Sequence, residues 1–312
     1  WATSVTPIDF EIYKLVAEEK VKEAGVDIYY NSSVCGLTQT ASGVIDCIEV
    51  KSEEYESFKI HAKVVVDATG DADIAYMAGA DYWMGEDTPD GHILQPVTPM
   101  FILGQVDKAR ICEYMRSNPT EFSTILERDS ITPENITVLH GYRGHLERER
   151  EKRRAMGEEE FPRNKLIAAF AMPQPDRMLI NMIEIYDVDP LNSSSLNWAG
   201  REGMRLSYQL FDFIKTLPGF ENSYIEQVSP YIGVRESRRI IGEYVLTVHD
   251  VAAQRRFEDV IARASYPVDI HGGTYEEVPE IDVNGSVDIP FRSLLPKNTV
   301  NLIMAGRSIS TT

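Results

Sequence analysis

Two short apolar runs that end in glycine constrain this chain more than any other feature. "VVVDATGDAD" spans Val64–Asp73 and "NTVNLIMAG" spans Asn298–Gly306, near opposite ends of the 312 residues. A run such as Val64, Val65 and Val66, without alternating polar residues, suits a strand buried on both faces. Glycine at its carboxyl end permits a tight turn and lets the backbone come close to a ligand. In open α/β sheets, ligands sit beyond the carboxyl ends of parallel strands. Either run alone is ordinary; as a pair flanking a long insertion, they predict one domain interrupted by another. After the first run, Asp71 is placed to cap a short helix through Ile74, Met77 and Ala78, which Gly79 closes.

The remaining pattern fits this layout. Residues Ile8 to Ala24 read as an amphipathic helix stopped by Gly25. "VDIYYNSSV", "GVIDCIEV" and "SFKIHA" read as short strands of a small antiparallel insertion. From Asp81 to Pro290 the chain reads as mixed α+β. A strand leads into a helix near Lys108, a strand pair is joined by Pro173 to Asp176, and a long helix is ended by Pro218 and Gly219.

Composition mainly excludes. With 43% hydrophobic and 26% charged residues the chain is of ordinary globular type. A net charge of −18 argues against a nucleic-acid partner, which requires concentrated basic surface. "RGHLEREREKRR" (Arg143 to Arg154) mixes its signs at helical spacing and predicts an exposed, ion-paired helix. Cys35, Cys47 and Cys112 form neither a disulfide framework nor a zinc spacing. Cys35 and Cys47 are placed to face each other across a hairpin, with nothing nearby to activate a thiol. His140 and His145 lie five apart, which does not put two ligands on one helical face, so no metal site is assigned. No apolar run approaches the ~20 residues that span a bilayer, and no signal peptide opens the chain, so a cytoplasmic location without membrane contact is expected. The first residue is Trp1 and the last stretch stops after a strand, so both ends read as cuts within a longer gene product.

A second candidate site lies in "GVRESRRIIGEY" (Gly233 to Tyr244). Arg235, Arg238 and Arg239 share a face if the segment is helical; in a strand, Arg235 and Arg239 do. Guanidiniums suit planar anions such as a substrate carboxylate, although Glu236 and the acid-rich chain also allow plain ion pairs. His271, beside two glycines in "YPVDIHGG", is the best single acid–base candidate.

Five blocks, "VVVDATGDADIAYMAGADY", "GVRESRRIIGEYVLT", "YPVDIH", "IPFRSLLP" and "NLIMAGRSIS", taken in this order, resemble the FAD-dependent oxidoreductase family with the glutathione-reductase type of flavin fold. The resemblance runs from about Ile8 to Ser310. It implies an α/β plus α+β chain: a truncated, Rossmann-like FAD-binding domain (residues 1–80 and 295–312) interrupted by a substrate domain (residues 81–294). It implies that Ala68, Thr69, Gly70 and Asp71 lie against the flavin, and that Ala305, Gly306 and Arg307 approach its pyrophosphate or ribityl chain. The implied activity is hydride transfer from a small, anionic substrate to FAD, with Arg235, Arg239 and His271 as the catalytic candidates. One departure stands against it: the family opens on a strand and a G-x-G-x-x-G turn that holds the diphosphate, and this chain has no such fingerprint. The expectation is therefore a core piece of a flavoenzyme that retains FAD poorly by itself. The alternative is a non-catalytic binding or scaffold domain that keeps the fold without the cofactor.

Overall fold

The computed structural model describes residues 6–54, 56–88, 91–123, 130–158, 161, 164–265, 268–271 and 285–312. The chain opens with α1 (Phe10–Glu23), whose first amides are capped by the Asp9 carboxylate, and Gly25 follows it in the left-handed region (φ 69°). Its apolar side chains Ile12, Leu15 and Val16 are exposed. Next, β1 (Ser32–Gln39), β2 (Ile45–Ser52) and β3 (Phe58–Ile60) form the antiparallel sheet in that order. Cys47 pairs with Thr38, whereas Cys35 falls at the irregularity between Val34 and Gly36, so the two thiols do not face each other as expected. The bulge shifts the register by one residue, which a count along the sequence does not reveal.

Then come β4 (Val65–Asp67), α2 (Asp73–Met77), β5 (Tyr82–Met84) and a hairpin of β6 (Glu86–Thr88) with β7 (Gly91–Ile93). The middle of the chain supplies β8 (Phe101–Gly104), α3 (Lys108–Ser117), β9 (Val138–Gly141), α4 (Arg143–Ala155), β10 (Ile167–Ala171), β11 (Met178–Ile180), α5 (Ser193–Ile214) and β12 (Tyr224–Val228). Its strands make one antiparallel sheet in the order β12-β8-β11-β10-β9. Phe101, Leu103, Leu139 and Ile180 from the sheet share a core with Ile111, Leu146, Leu210 and Ile214 from the helices. The charged helix is α4, with Arg153 on Glu149 at 2.9 Å and Arg150 near Glu147 at 3.4 Å.

The chain closes with β13 (Arg238–Ile240), α6 (Val248–Ala252), β14 (Val260–Ala264), β15 (Val287–Pro290) and β16 (Leu302–Met304). β13 pairs antiparallel with β5, β14 with β15, and β16 runs parallel to β4. A second core gathers Ile45, Val65, Ile74, Ala75, Leu302 and Met304, together with Ile240 from β13. The chain is thus of mixed α/β type, with this small core beneath the β4–β16 pair.

The valine run is not buried on both faces. Val65 and Asp67 point into the small core, while Val64 and Val66 are 53% and 56% exposed. Side chains alternate along a strand, and among the described residues nothing covers the outer face of this two-stranded sheet.

Candidate functional site

The parallel register of β4 and β16 brings the two glycine turns together. Leu302 lies beside Val65 and Met304 beside Asp67, and the Ala305 amide continues the ladder by donating to the Asp67 carbonyl at 2.9 Å. Both strands then turn through a left-handed glycine, Gly70 at φ 84° and Gly306 at φ 86°. Ala68 and Thr69 on one turn, and Gly306 and Arg307 on the other, are exposed at the carboxyl end of the pair. An ion pair spans the gap, with Arg307 Nη2 donating to Asp71 Oδ1 at 2.6 Å.

Asp71 does not cap α2. The N-cap is Ala72, itself left-handed at φ 55°, and it offers no side-chain acceptor. Thr69 Oγ1 accepts from the Asp73 amide at 3.0 Å, and Asp67 Oδ2 accepts from the Ala75 amide at 2.9 Å. Asp67 Oδ1 also accepts from the Thr69 amide and hydroxyl, at 3.0 and 2.7 Å. The fully buried Asp67 carboxylate thus shapes the turn from below and leaves Asp71 free to meet Arg307.

A Cβ built on Gly70 lies 2.8 Å from Arg307 Nη1, whereas one built on Gly306 meets nothing within 4 Å. Both positions carry the strain of a left-handed side chain, about 1 kcal/mol. Gly306→Ala is therefore expected to lose about that much stability in urea denaturation. Gly70→Ala should lose up to about 0.5 kcal/mol more, because Arg307 must leave Asp71 and such half-exposed pairs are worth little. Equal losses would show that Arg307 does not rest on Gly70.

Residues 237–240 bind to both turns. Ser237 Oγ donates to the Gly70 carbonyl at 3.2 Å, and Arg238 Nη1 donates to the Asp71 carbonyl and to Asp73 Oδ1, each at 2.9 Å. The Ile240 amide donates to the Ser308 carbonyl at 3.0 Å, just after the second turn. The Arg238 guanidinium also lies 4.2 Å from the centre of the Tyr76 ring.

The other two arginines belong to a separate polar cluster. Arg235 Nε and Nη2 both donate to Thr98 Oγ1, at 3.1 and 3.0 Å. Arg239 Nη2 donates to the Gly85 carbonyl and pairs with Glu236 at 3.2 Å. Arg238 and Arg239 are consecutive residues of β13 and leave it on opposite faces, so the three guanidiniums do not form one row. His271 lies between two carboxylates, with Nδ1 2.7 Å from Glu184 and Nε2 2.9 Å from Asp269. The hydrogen bonds to Asp269 and Glu184 raise its pKa to about 9 and hold both carboxylates below their usual range. The His271 amide donates to Gln95 Oε1, and the Gln95 amide donates to Glu236, which links His271 to the arginine segment. The glycines that follow His271 lie outside the described residues.

Sequence reasoning missed Asp67, Ser237 and Arg238 at the turns and Gln95, Glu184 and Asp269 around His271. Asp67 did carry a signal, since a carboxylate closing a buried strand is rare without partners. Glu184 and Asp269 had none, being brought to His271 only by the fold. Glu184 also lines a groove of about 560 Å³ between Trp198 and Arg205 on α5 and Met182 to Asp187 beyond β11. One donor trio, Asp46, Cys47 and His61, gathers among the described residues. Its thiol is buried against Thr38 Oγ1 and its His61 Nδ1 lies 3.1 Å from the Asp46 carbonyl. Asp46 and Cys47 are neighbours on β2 and leave it on opposite faces, a poor arrangement for chelation.

Across its sequence profile, the family described as FAD dependent oxidoreductase matches residues 1–312. No curated protein matches the sequence. Among solved structures, a geranylgeranyl bacteriochlorophyll reductase-like protein from Thermoplasma acidophilum is similar at 15% identity and a TM-score of 0.36, over 71% of this chain and 40% of that one. The flavin-dependent monooxygenase PieE, solved with FAD and substrate, is similar at 11% identity and 0.40, over 76% and 32%. AlpK follows at 10% and 0.33, over 74% and 34%. The chain thus spans less than half the length of these structures. No helix among the described residues is long and apolar enough to cross a membrane.

Proposed function

This chain belongs to the FAD-dependent oxidoreductase family, and from that premise we propose that the paired turns Ala68–Asp71 and Ala305–Arg307 form the ledge on which the flavin rests. The observation that carries the reading is the parallel β4–β16 register, which sets two left-handed glycines side by side at the carboxyl end of a strand pair. Open space at Gly306 allows the backbone to approach a planar ring closely, while the corresponding space at Gly70 is taken by the Arg307 guanidinium.

The charges on the ledge decide which half of the cofactor it suits. Asp71 and Asp73 stand at the start of α2, with their cations Arg307 and Arg238 already paired to them. A diphosphate there meets carboxylates, whereas hydroxyl groups can donate to them. The ledge therefore fits the isoalloxazine and ribityl part of FAD rather than the pyrophosphate. A flavin bound there would supply two-electron redox chemistry, hydride transfer from a substrate included. Residues 1–80 and 295–312 hold the cofactor in this reading, and residues 81–294 choose the substrate.

On the substrate side, Arg235, Arg239 and His271 are the groups we assign to binding. His271 is an imidazolium at neutral pH because each ring nitrogen faces a carboxylate, so its role there is to present positive charge rather than to accept a proton. Three cations stand against Glu184, Glu236 and Asp269. An anionic small molecule is then selected by directional bonds from the guanidiniums rather than by net field, because both N–H groups of the imidazolium are taken by Glu184 and Asp269.

Titration of the amide spectrum of the chain with riboflavin and with FAD tests this assignment. Both ligands should shift the amides of Gly70, Asp71, Gly306 and Arg307. Their affinities should agree within about threefold and be no tighter than about 10 μM, since the ledge recognises only the shared half. Shifts centred elsewhere overturn the assignment, and so does FAD bound far more tightly than riboflavin.

A further inference from the structure

The segment between the arginine cluster and the ledge has a role that neither the family nor the ledge itself assigns. Arg238 is nearly buried, with a side chain 11% exposed, and its Nε has no partner among the described residues. A buried guanidinium with an unmet donor is costly, and an apolar side chain of similar length would rest there more comfortably. Stability alone therefore does not account for an arginine at this position. What the guanidinium does accomplish is local: one nitrogen, Nη1, holds the Asp71 carbonyl and the Asp73 carboxylate at once, while Tyr76 stacks on its face. Ser237 holds the Gly70 carbonyl beside it. Two residues on, the Ile240 amide holds Ser308, so the same short strand is fixed to both glycine turns.

We propose that Arg238 is a positioning residue for the ledge: with Ser237 and β13, it sets the Gly70–Asp71 turn in register with the Gly306–Arg307 turn. This rests on the reading of those turns as the flavin ledge. Arg238 touches the backbone of the turn rather than the ligand, and its side chain holds from above, at the Asp71 carbonyl, the turn between the left-handed Gly70 and Ala72 that Asp67 shapes from below. Arg238→Met removes the donors and keeps the stem; Arg238→Lys keeps the charge and loses the planar stacking on Tyr76.

Hydrogen exchange on the flavin-free chain, followed by riboflavin titration of the same proteins, tests the role. Amides from Thr69 to Ala78 should exchange at least about tenfold faster in Arg238→Met, as the loss of both charge-assisted bonds from Nη1 predicts, with Arg238→Lys in between. The melting temperature should stay within about 3 °C of the parent, because the unmet donor is removed as well. Riboflavin should bind about tenfold more weakly to Arg238→Met. Unchanged exchange in a folded variant overturns the proposal, and so does faster exchange with unchanged riboflavin affinity. Should Arg238→Met fail to fold, Ser237→Ala and Arg238→Lys give the same readout. If the parent chain itself shows no riboflavin shifts at Gly70 and Gly306, the ledge reading has failed, a result told apart because exchange is measured without flavin.

Discussion

Asp67→Ala lowers the stability of the chain by about 3 kcal/mol: the buried Ala75 amide is left without a partner, and two part-buried bonds to Thr69 are lost as well. The carboxylate is fully buried and accepts from the Thr69 amide, the Thr69 hydroxyl and the Ala75 amide. Alanine removes all three acceptors at once, and no described side chain stands in for them. The consequence extends to the ledge. Thr69 Oγ1, freed from Asp67, no longer holds its position for the Asp73 amide, and α2 loses both of its side-chain caps. Asp67→Asn separates shape from chemistry. With its carbonyl oxygen toward Thr69, its amide group faces the Ala75 N–H, donor against donor, so it should lose about 1–2 kcal/mol. Urea denaturation reads both values. A loss below about 1 kcal/mol for Asp67→Ala would mean that water takes over the carboxylate's bonds, and that the turn does not depend on it.

The elements around the ledge were legible because their signals are local. Gly70 and Gly306 are glycines where the backbone needs positive φ, and the lack of side chain at these positions is visible in the residues themselves. The long helix α5 and the strand pair β10–β11 likewise follow from periodicity and from the turn residues between them. What the sequence could not show is which partners distant residues find. The cap on α2 came from Asp67 and Thr69, not Asp71, because Asp71 is drawn away by Arg307, 236 positions along the chain. The three arginines read as one row only if their segment is regular. It is irregular up to Ser237, and β13 then sends Arg238 toward the ledge and Arg239 away from it. The burial of the valine run failed for a related reason: three apolar residues in a row state a preference, and the fold decides which face is covered.

The same contrast between residue type and surroundings governs His271, whose removal has the second large effect. His271→Gln should lose about 2 kcal/mol at pH 7, a figure reduced from the full pKa shift because solvent reaches a quarter of the side chain. Glutamine cannot carry the charge, so Glu184 and Asp269 are left facing each other with only Arg235 near both. The sign with pH follows from the direction of each shift. The His271 pKa is raised from 6.5 to about 9, so its contribution is complete below the unfolded value and disappears as pH rises through about 9. Glu184 and Asp269 are lowered from 4.5 and 3.8, so theirs is complete above those values and disappears as pH falls. The clamp is therefore strongest from about pH 5 to 6.5 and weakens progressively above that, and the parent and His271→Gln should converge in stability near pH 10. Adding Glu184→Gln to His271→Gln should return part of the loss at pH 7 by removing one of the two facing charges. A loss equal at pH 7 and pH 10 would show that packing, not charge, is what His271 contributes. An imidazole resonance that titrates near 6.5 would refute the clamp directly. If the clamp holds, His271 is a fixed cation at neutral pH, and a free imidazole forms there only as the pH approaches 9.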